Sequence, residues 1–80
     1  MSKNRNYTVI CVTKALQVFS TTLTTAADPG GAGFVRPLQN CLEGFGFGTH
    51  PAEHLRLVQV VDNRSRAVQY FDDEWLAEAM

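Results

Sequence analysis

The sequence contains no long hydrophobic run, which argues against a membrane-spanning helix. A helix needs about 18 or more consecutive apolar residues to cross a bilayer, and no stretch of these 80 residues reaches that length. The first 25 residues also lack the pattern of a secretory signal, because Lys14 interrupts the apolar run and threonine is frequent. We therefore expect a cytoplasmic protein without a membrane partner.

Cysteine and histidine are scarce, with two residues of each type. Two cysteines, Cys11 and Cys41, are too few for a disulfide scaffold, and their apolar neighbours predict free buried thiols. Zinc sites use cysteine and histidine, but the chain has no CxxC pair, and a proline separates His50 from His54. No third group is spaced to orient a thiol–imidazole pair. We predict no metal, no cofactor and no catalytic residue, hence a protein that is not an enzyme.

The C-terminal tail carries acidic residues and no basic ones. Residues 1–71 carry a net charge of +3, whereas residues 72–80 carry −4 and no basic residue. The tail sequence Asp72-Asp73-Glu74-Trp75 places a tryptophan among carboxylates. Tryptophan is enriched at binding hot spots, and acidic groups steer a protein toward a basic partner. These four residues are a candidate partner-binding site, unless Trp75 folds back onto the core and the acids cap a helix.

Three arginines near the C-terminal hairpin, Arg56, Arg64 and Arg66, are the second candidate group. Together with aromatic residues on a sheet face they could hold a nucleic-acid strand, since single-stranded bases stack on aromatic rings. The aromatic residues in the predicted strands are Tyr7, Phe19, Tyr70 and Phe71. The alternative is that these rings pack across strands or under a helix.

The loop containing Gly30, Gly31 and Gly33 follows a predicted strand and precedes a predicted helix. Backbone amides at such a place can hold a phosphate group. The sequence departs from the dinucleotide and P-loop patterns, because Arg36 stands where a third glycine would be and no Lys-Ser/Thr pair follows. A small ligand- or phosphate-binding domain therefore stays an alternative. The other explanation of the glycines is a loop that needs positive φ angles or close packing.

The order of predicted elements is ββαββ with a short C-terminal helix. Runs rich in β-branched residues predict strands at 7–13, 16–25, 54–61 and 66–71. Asp28 and Pro29 resemble a helix start. Pro37, however, favours a firm helix only from Arg36, and we expect this helix to end at Gly44 as a left-handed cap. Asp72 is expected to cap the last helix.

These elements predict an α+β fold: one antiparallel sheet of about four strands packed against one helix. Residues 1–6 are expected to be flexible and residues 7–80 to form the single domain. One helix covers only one face of such a sheet, yet Val58, Val60 and Val61 give the third strand apolar residues on both faces. We expect the second face to be buried in a homodimer or against a partner.

The element order, with Thr25-Ala26-Ala27-Asp28-Pro29-Gly30 between the first strand pair and the helix, resembles small proteins of phages and other mobile elements. Among these, it is similar to anti-CRISPR proteins of this length. The resemblance implies a stoichiometric inhibitor that binds a nucleoprotein effector complex and occludes it without chemistry. We therefore expect a protein-interaction module of this type, the alternatives being a small nucleic-acid-binding domain and a small ligand-binding domain.

Overall fold

Four antiparallel strands form one sheet in the order β2-β1-β3-β4, which confirms the predicted α+β fold with its ββαββ order and short C-terminal helix. The computed structural model describes residues 4–47 and 50–80. The strands are β1 (Arg5–Thr13), β2 (Val18–Thr25), β3 (Leu55–Asp62) and β4 (Val68–Asp72). The helices are α1 (Val35–Gly44) and α2 (Asp73–Ala79), with 3-10 turns at Ala32–Phe34 and Pro51–Glu53.

The first strand begins earlier than its sequence pattern predicts. Arg5 and Asn6 belong to β1 and pair with Thr25 and Thr24 of β2, so they lie in the sheet and not in the flexible segment expected for residues 1–6. Residues 1–3 lie outside the described residues. Pairing continues through Asn6 because its carbonyl accepts a hydrogen bond from the Asn63 N–H at 3.1 Å.

The β1–β2 connection is longer than the two residues predicted at Lys14-Ala15. Strand β2 begins at Val18, and the Thr13 N–H donates to the Gln17 carbonyl at 2.9 Å, which closes a four-residue turn. Leu16 adopts the left-handed conformation with φ 63°. Glycine or asparagine would normally occupy such a position, and because neither is present the turn type could not be predicted.

The region before α1 differs from its prediction. Asp28 does not cap a helix; its Oδ1 atom accepts the Gly30 N–H at 3.1 Å and closes a local turn, so Pro29 is not the first helical residue. Helix α1 starts only at Val35, with Pro37 in its first turn, where a missing N–H costs little. Helix α1 ends at Gly44, as predicted, but the left-handed conformation belongs to Gly46, with φ 87°.

The core lies between the sheet and α1. Alternate β1 residues Tyr7, Val9 and Cys11 are buried, and they face Leu38 and Leu42 of α1. Spacing of four residues places these two leucines on one side of the helix, as the apolar stripe predicts. The predicted cap of α2 is confirmed, because Asp72 Oδ1 accepts the Trp75 N–H at 2.8 Å. This cap directs Leu76 into the same core.

Truncation of Leu42 tests the dependence of the fold on α1. We expect Leu42→Ala to lower the free energy of unfolding by about 2–5 kcal/mol, because the side chain is completely buried. Asn40→Ala, a change on the exposed side of the same helix, serves as the control and should cost far less. Urea denaturation followed by circular dichroism measures both, and equal losses would show that α1 does not hold the core.

Candidate interaction surface

The sheet has one covered face and one uncovered face. Helix α1 and the 3-10 turns pack on the side of Tyr7 and Val9, and the opposite side carries the alternate residues of each strand. We call this second side the open face. It consists of Asn6, Thr8, Ile10 and Val12 of β1, Val18, Ser20, Thr22 and Thr24 of β2, Leu57, Gln59 and Val61 of β3, and Val68, Tyr70 and Asp72 of β4.

The open face has a polar corner and an apolar remainder. In the polar corner, Thr24 donates to Asn6 Oδ1 at 2.8 Å, and Thr8 donates to Asn63 Oδ1 at 2.7 Å. These side chains satisfy one another. The remainder is mainly apolar, with Ser20, Thr22 and Gln59 between the apolar residues and with Asp72 at its end, where the carboxylate caps α2. Its exposed apolar side chains are Val18 at 64%, Tyr70 at 61% and Val68 at 42%. Apolar groups gathered on one surface mark interaction sites more often than isolated ones do.

The acidic tail is partly structural. Asp72 caps α2, and the Trp75 ring packs on Phe71 with centroids 4.3 Å apart, so that Trp75 is half-buried. The alternative in which Trp75 folds back onto the core therefore describes its packing. Asp73 and Glu74 are exposed in the first turn of α2, where carboxylates also favour the helix dipole. They remain free to meet a partner.

The three arginines do not form one cluster. Arg56 precedes Leu57, which pairs with Asp72, so Arg56 lies at the acidic end of the sheet. Arg64 and Arg66 lie in the β3–β4 turn at the opposite end of β3. Arg5 was not predicted as a site residue, yet it lies beside Arg64 at the rim of a surface depression. Only the register of β1 against β3 reveals this proximity.

Asp62 organises the turn that carries Arg64 and Arg66. Its Oδ1 atom accepts the N–H groups of Arg64 and Ser65 at 2.8 and 3.2 Å, and its Oδ2 atom lies 3.8 Å from Arg5 Nη1. The two backbone hydrogen bonds, Arg64 first, hold the pKa of Asp62 below its ordinary value, and the Arg5 charge adds to this effect. The carboxylate thus stays ionised and keeps the turn in place.

The glycine loop uses its own amides. The Gly30 N–H binds Asp28 Oδ1, and the Gly31 N–H binds the Asp28 carbonyl at 2.8 Å. A carboxylate therefore occupies the position where a phosphate would have to approach. None of these glycines has a positive φ, contrary to one explanation of the loop, and a Cβ atom on Gly31 would lie 3.4 Å from the Asp28 carbonyl oxygen. That distance is an ordinary van der Waals contact, so neither a positive φ nor close packing accounts for glycine at position 31.

The two thiols lie where β1 meets α1. Cys11 is fully buried and Cys41 is half-buried, and burial raises the pKa of both, that of Cys11 to about 12 with a further contribution from nearby Cys41. Both thiols therefore stay protonated and weakly nucleophilic near neutral pH. His50 and His54 are exposed around the second 3-10 turn. Within residues 4–47 and 50–80, no three His, Cys, Asp or Glu side chains gather as a metal-binding group.

The aromatic residues are divided between three places. Tyr7 and Phe71 are buried under the helices, and Tyr70 alone of the four lies on the open face, so the alternative in which the rings pack within the fold describes the other three. Phe19 packs with Phe45 and Phe47, with ring centroids about 6 Å apart. This aromatic cluster was not predicted, because no local pattern shows that Phe19 of β2 contacts the segment that follows α1.

Comparisons with known proteins add no identity to this description. No protein-family model, no curated protein and no solved structure matches the chain. In the part of the chain that the structure describes, the helices are too short and too polar to cross a membrane.

Acid titration tests the role of Asp62. A carboxyl whose pKa is lowered on folding contributes stability at pH values above its unfolded pKa and loses it as the pH falls toward the folded value. We expect wild type to lose more stability than Asp62→Asn as the pH falls from about 5 to about 2, and Asp62→Asn to be the less stable protein at pH 7. Urea midpoints measured across this range give the difference; parallel curves would contradict the assignment.

Proposed function

We propose that this chain is a non-enzymatic, cytoplasmic protein-interaction module that binds a protein partner through its open face. The observation that carries the proposal is the apolar part of that face, where Val18, Val68 and Tyr70 are exposed beside half-buried Ile10 and Leu57. Covering this surface would release water from apolar groups on four strands at once. Because the face is formed by regular strands, a partner would meet it already ordered.

A protein partner explains the open face better than a nucleic acid does. Nucleic-acid surfaces neutralise phosphates with lysine and arginine, yet the open face has neither. Arg64 and Arg66 stand in the turn at one end, away from Arg56. Tyr70 is the only aromatic ring on the face among the described residues, so a strand of bases would find a single stacking position. Single-stranded nucleic acid is therefore the second candidate.

The resemblance to anti-CRISPR proteins supports a narrower proposal, namely an inhibitor of a host nucleoprotein complex that acts by occlusion. In this proposal the open face supplies affinity and the acidic end supplies steering. Asp73 and Glu74 are exposed at that end and would face lysines and arginines that otherwise hold nucleic acid. An inhibitor of this kind needs no catalytic group, only a surface that fits.

An acidic substitution on the open face tests the proposal. Purified CRISPR–Cas effector complexes of the main types are incubated with labelled target DNA and the protein. We expect wild type to block DNA binding by at least one complex, and Tyr70→Asp to weaken this block by about tenfold or more, as for a buried interface residue. Gln69→Asp is the matched control, because it adds the same charge to the same strand on the other side of the sheet.

Two outcomes would overturn this proposal. If no complex is affected by wild type, the inhibitor proposal is wrong. If Tyr70→Asp and Gln69→Asp block equally well, the open face is not the binding surface. A parallel titration with labelled single-stranded RNA and DNA covers the second candidate; binding that weakens steeply with salt would favour nucleic acid over a protein partner.

Charge reversal of the tail tests the steering role separately. Asp73→Lys combined with Glu74→Lys leaves the Asp72 cap intact, so the fold is retained. If the acids meet a basic surface, this variant should bind the target complex more slowly and lose most of the salt dependence of association. Stopped-flow or surface-plasmon measurements at several salt concentrations report both; unchanged association kinetics would remove electrostatic mimicry from the mechanism.

A further inference from the structure

We infer that two copies of this chain pair through the β2 edge, antiparallel to each other, and form one continuous eight-stranded sheet. Strand β2 lies at the edge of the sheet and pairs only with β1. The inference uses the backbone edge of β2, whereas the proposed function uses the side chains across the open face, so neither depends on the other. It rests on the hydrogen-bonding pattern, composition and symmetry of β2.

The backbone groups of alternate β2 residues point away from the sheet. The Thr13 N–H bond to the Gln17 carbonyl identifies that pair as hydrogen-bonded, and such pairs alternate along an antiparallel ladder. Phe19, Thr21 and Leu23 therefore bond to β1. The residues whose N–H and C=O groups point outward are Val18, Ser20, Thr22 and Thr24. This edge offers four donors and four acceptors in a regular row.

Strand β2 has none of the features that normally block strand addition. Its eight residues include no charge, no proline and no glycine, and its register with β1 is uninterrupted. Natural edge strands carry charges, prolines or bulges, or are short, because an unblocked edge recruits another strand. The opposite edge follows this rule, since β4 has five residues and ends at Asp72. The contrast indicates that β2 is an interface.

The sequence of β2 is complementary to itself about Thr21. With a two-fold axis there, Ser20 of each copy opposes Thr22 of the other, and Val18 opposes Thr24, so all outward backbone groups pair. On the α1 side, Phe19 meets Leu23 of the second copy. Phe19 is 39% exposed in the single chain, and this pairing would cover it. No like charges meet in this register.

The space beside β2 also fits a second copy. A groove of about 850 Å³ runs between β2 and α1, and Arg36 is its single charged lining residue in the described chain. Phe45, which follows α1, packs on Phe19 near the start of β2. Helix α1 therefore runs antiparallel to β2, and Arg36 at its beginning lies toward Thr25 at the end of β2. A two-fold axis near Thr21 would place the two arginines at opposite ends of the joint groove, without repulsion.

A charge-swap experiment tests the pairing and its register. In Ser20→Lys/Thr22→Lys, lysines face each other twice across the axis, which should raise the dimer Kd by about tenfold or more. In Ser20→Lys/Thr22→Glu, each lysine faces a glutamate of the second copy, and the dimer mass should return. Both positions are exposed, so the fold should tolerate the changes. Sedimentation velocity over a concentration series measures the mass, and circular dichroism checks folding.

Disulfide trapping at the axis gives an independent measure. In a Cys41→Ser background, Thr21→Cys should form an interchain disulfide with oxidised glutathione, because non-hydrogen-bonded pairs bring Cα atoms to about 4.5 Å. Thr25→Cys is the control and should not cross-link, since position 25 lies far from its own copy. A wild type that is monomeric throughout, a charge-swapped variant that stays monomeric, or equal cross-linking at both positions would overturn the inference.

The two proposals can fail separately. Tyr70→Asp should weaken binding of a partner and leave the dimer mass unchanged, whereas Ser20→Lys/Thr22→Lys should shift the mass to that of the monomer. Because Ser20 and Thr22 also lie on the open face, only the mass is measured for the lysine variant. If the dimer instead dissociates with Tyr70→Asp and persists with the lysine pair, the copies meet through the open face and the β2 pairing is wrong. If strand addition recruits a peptide of another protein instead, the purified chain is monomeric, which also contradicts the inference.

Discussion

Helix α1, the two 3-10 turns and the short α2 together cover only one face of the four-stranded sheet, and this limited cover shapes the whole molecule. Leu38 and Leu42 fill the space over the central strands, where every second residue is buried. Nothing in the described chain packs on the other side of those strands, so the regular alternation of β-strands places apolar residues where no part of the chain covers them. The covered face holds the fold together, while the uncovered face is available for binding.

The same geometry separates the charges. Strands run the length of an elongated molecule whose extents are 39 × 20 × 20 Å. Arg5, Arg64 and Arg66 stand at one end, and Asp73 and Glu74 stand at the other, beyond the last strand. The separation arises because the basic turn joins β3 to β4 and the acidic helix follows β4. A binding partner would therefore meet an excess of basic residues beside Asp62 at one end and an excess of acidic residues beside Arg56 at the other.

Local patterns in the sequence predicted the elements, and long-range pairing decided how they meet. The β-branched runs and the Leu38–Leu42 stripe were sufficient for strands and helix, since both are periodicities within one element. The prediction that Asp28 starts a helix is wrong because its carboxylate accepts a hydrogen bond from the Gly30 N–H. The three arginines do not form the expected group, because Arg56 lies at one end of β3 and Arg64 and Arg66 lie in the turn at its other end. The Phe19 cluster and the free β2 edge depend on the strand order, which no local pattern contains.

Strand β1 has a consequence for the order in which the molecule is built. It precedes the other three strands of the sheet in the chain, and it pairs with β2 nearby and with β3 more than forty residues later. During synthesis the β1–β2 hairpin emerges with one side of β1 still unpaired, and α1 has no complete sheet to pack on. Closure of the sheet waits for distant residues, which slows folding and lengthens the exposure of bare strand edges.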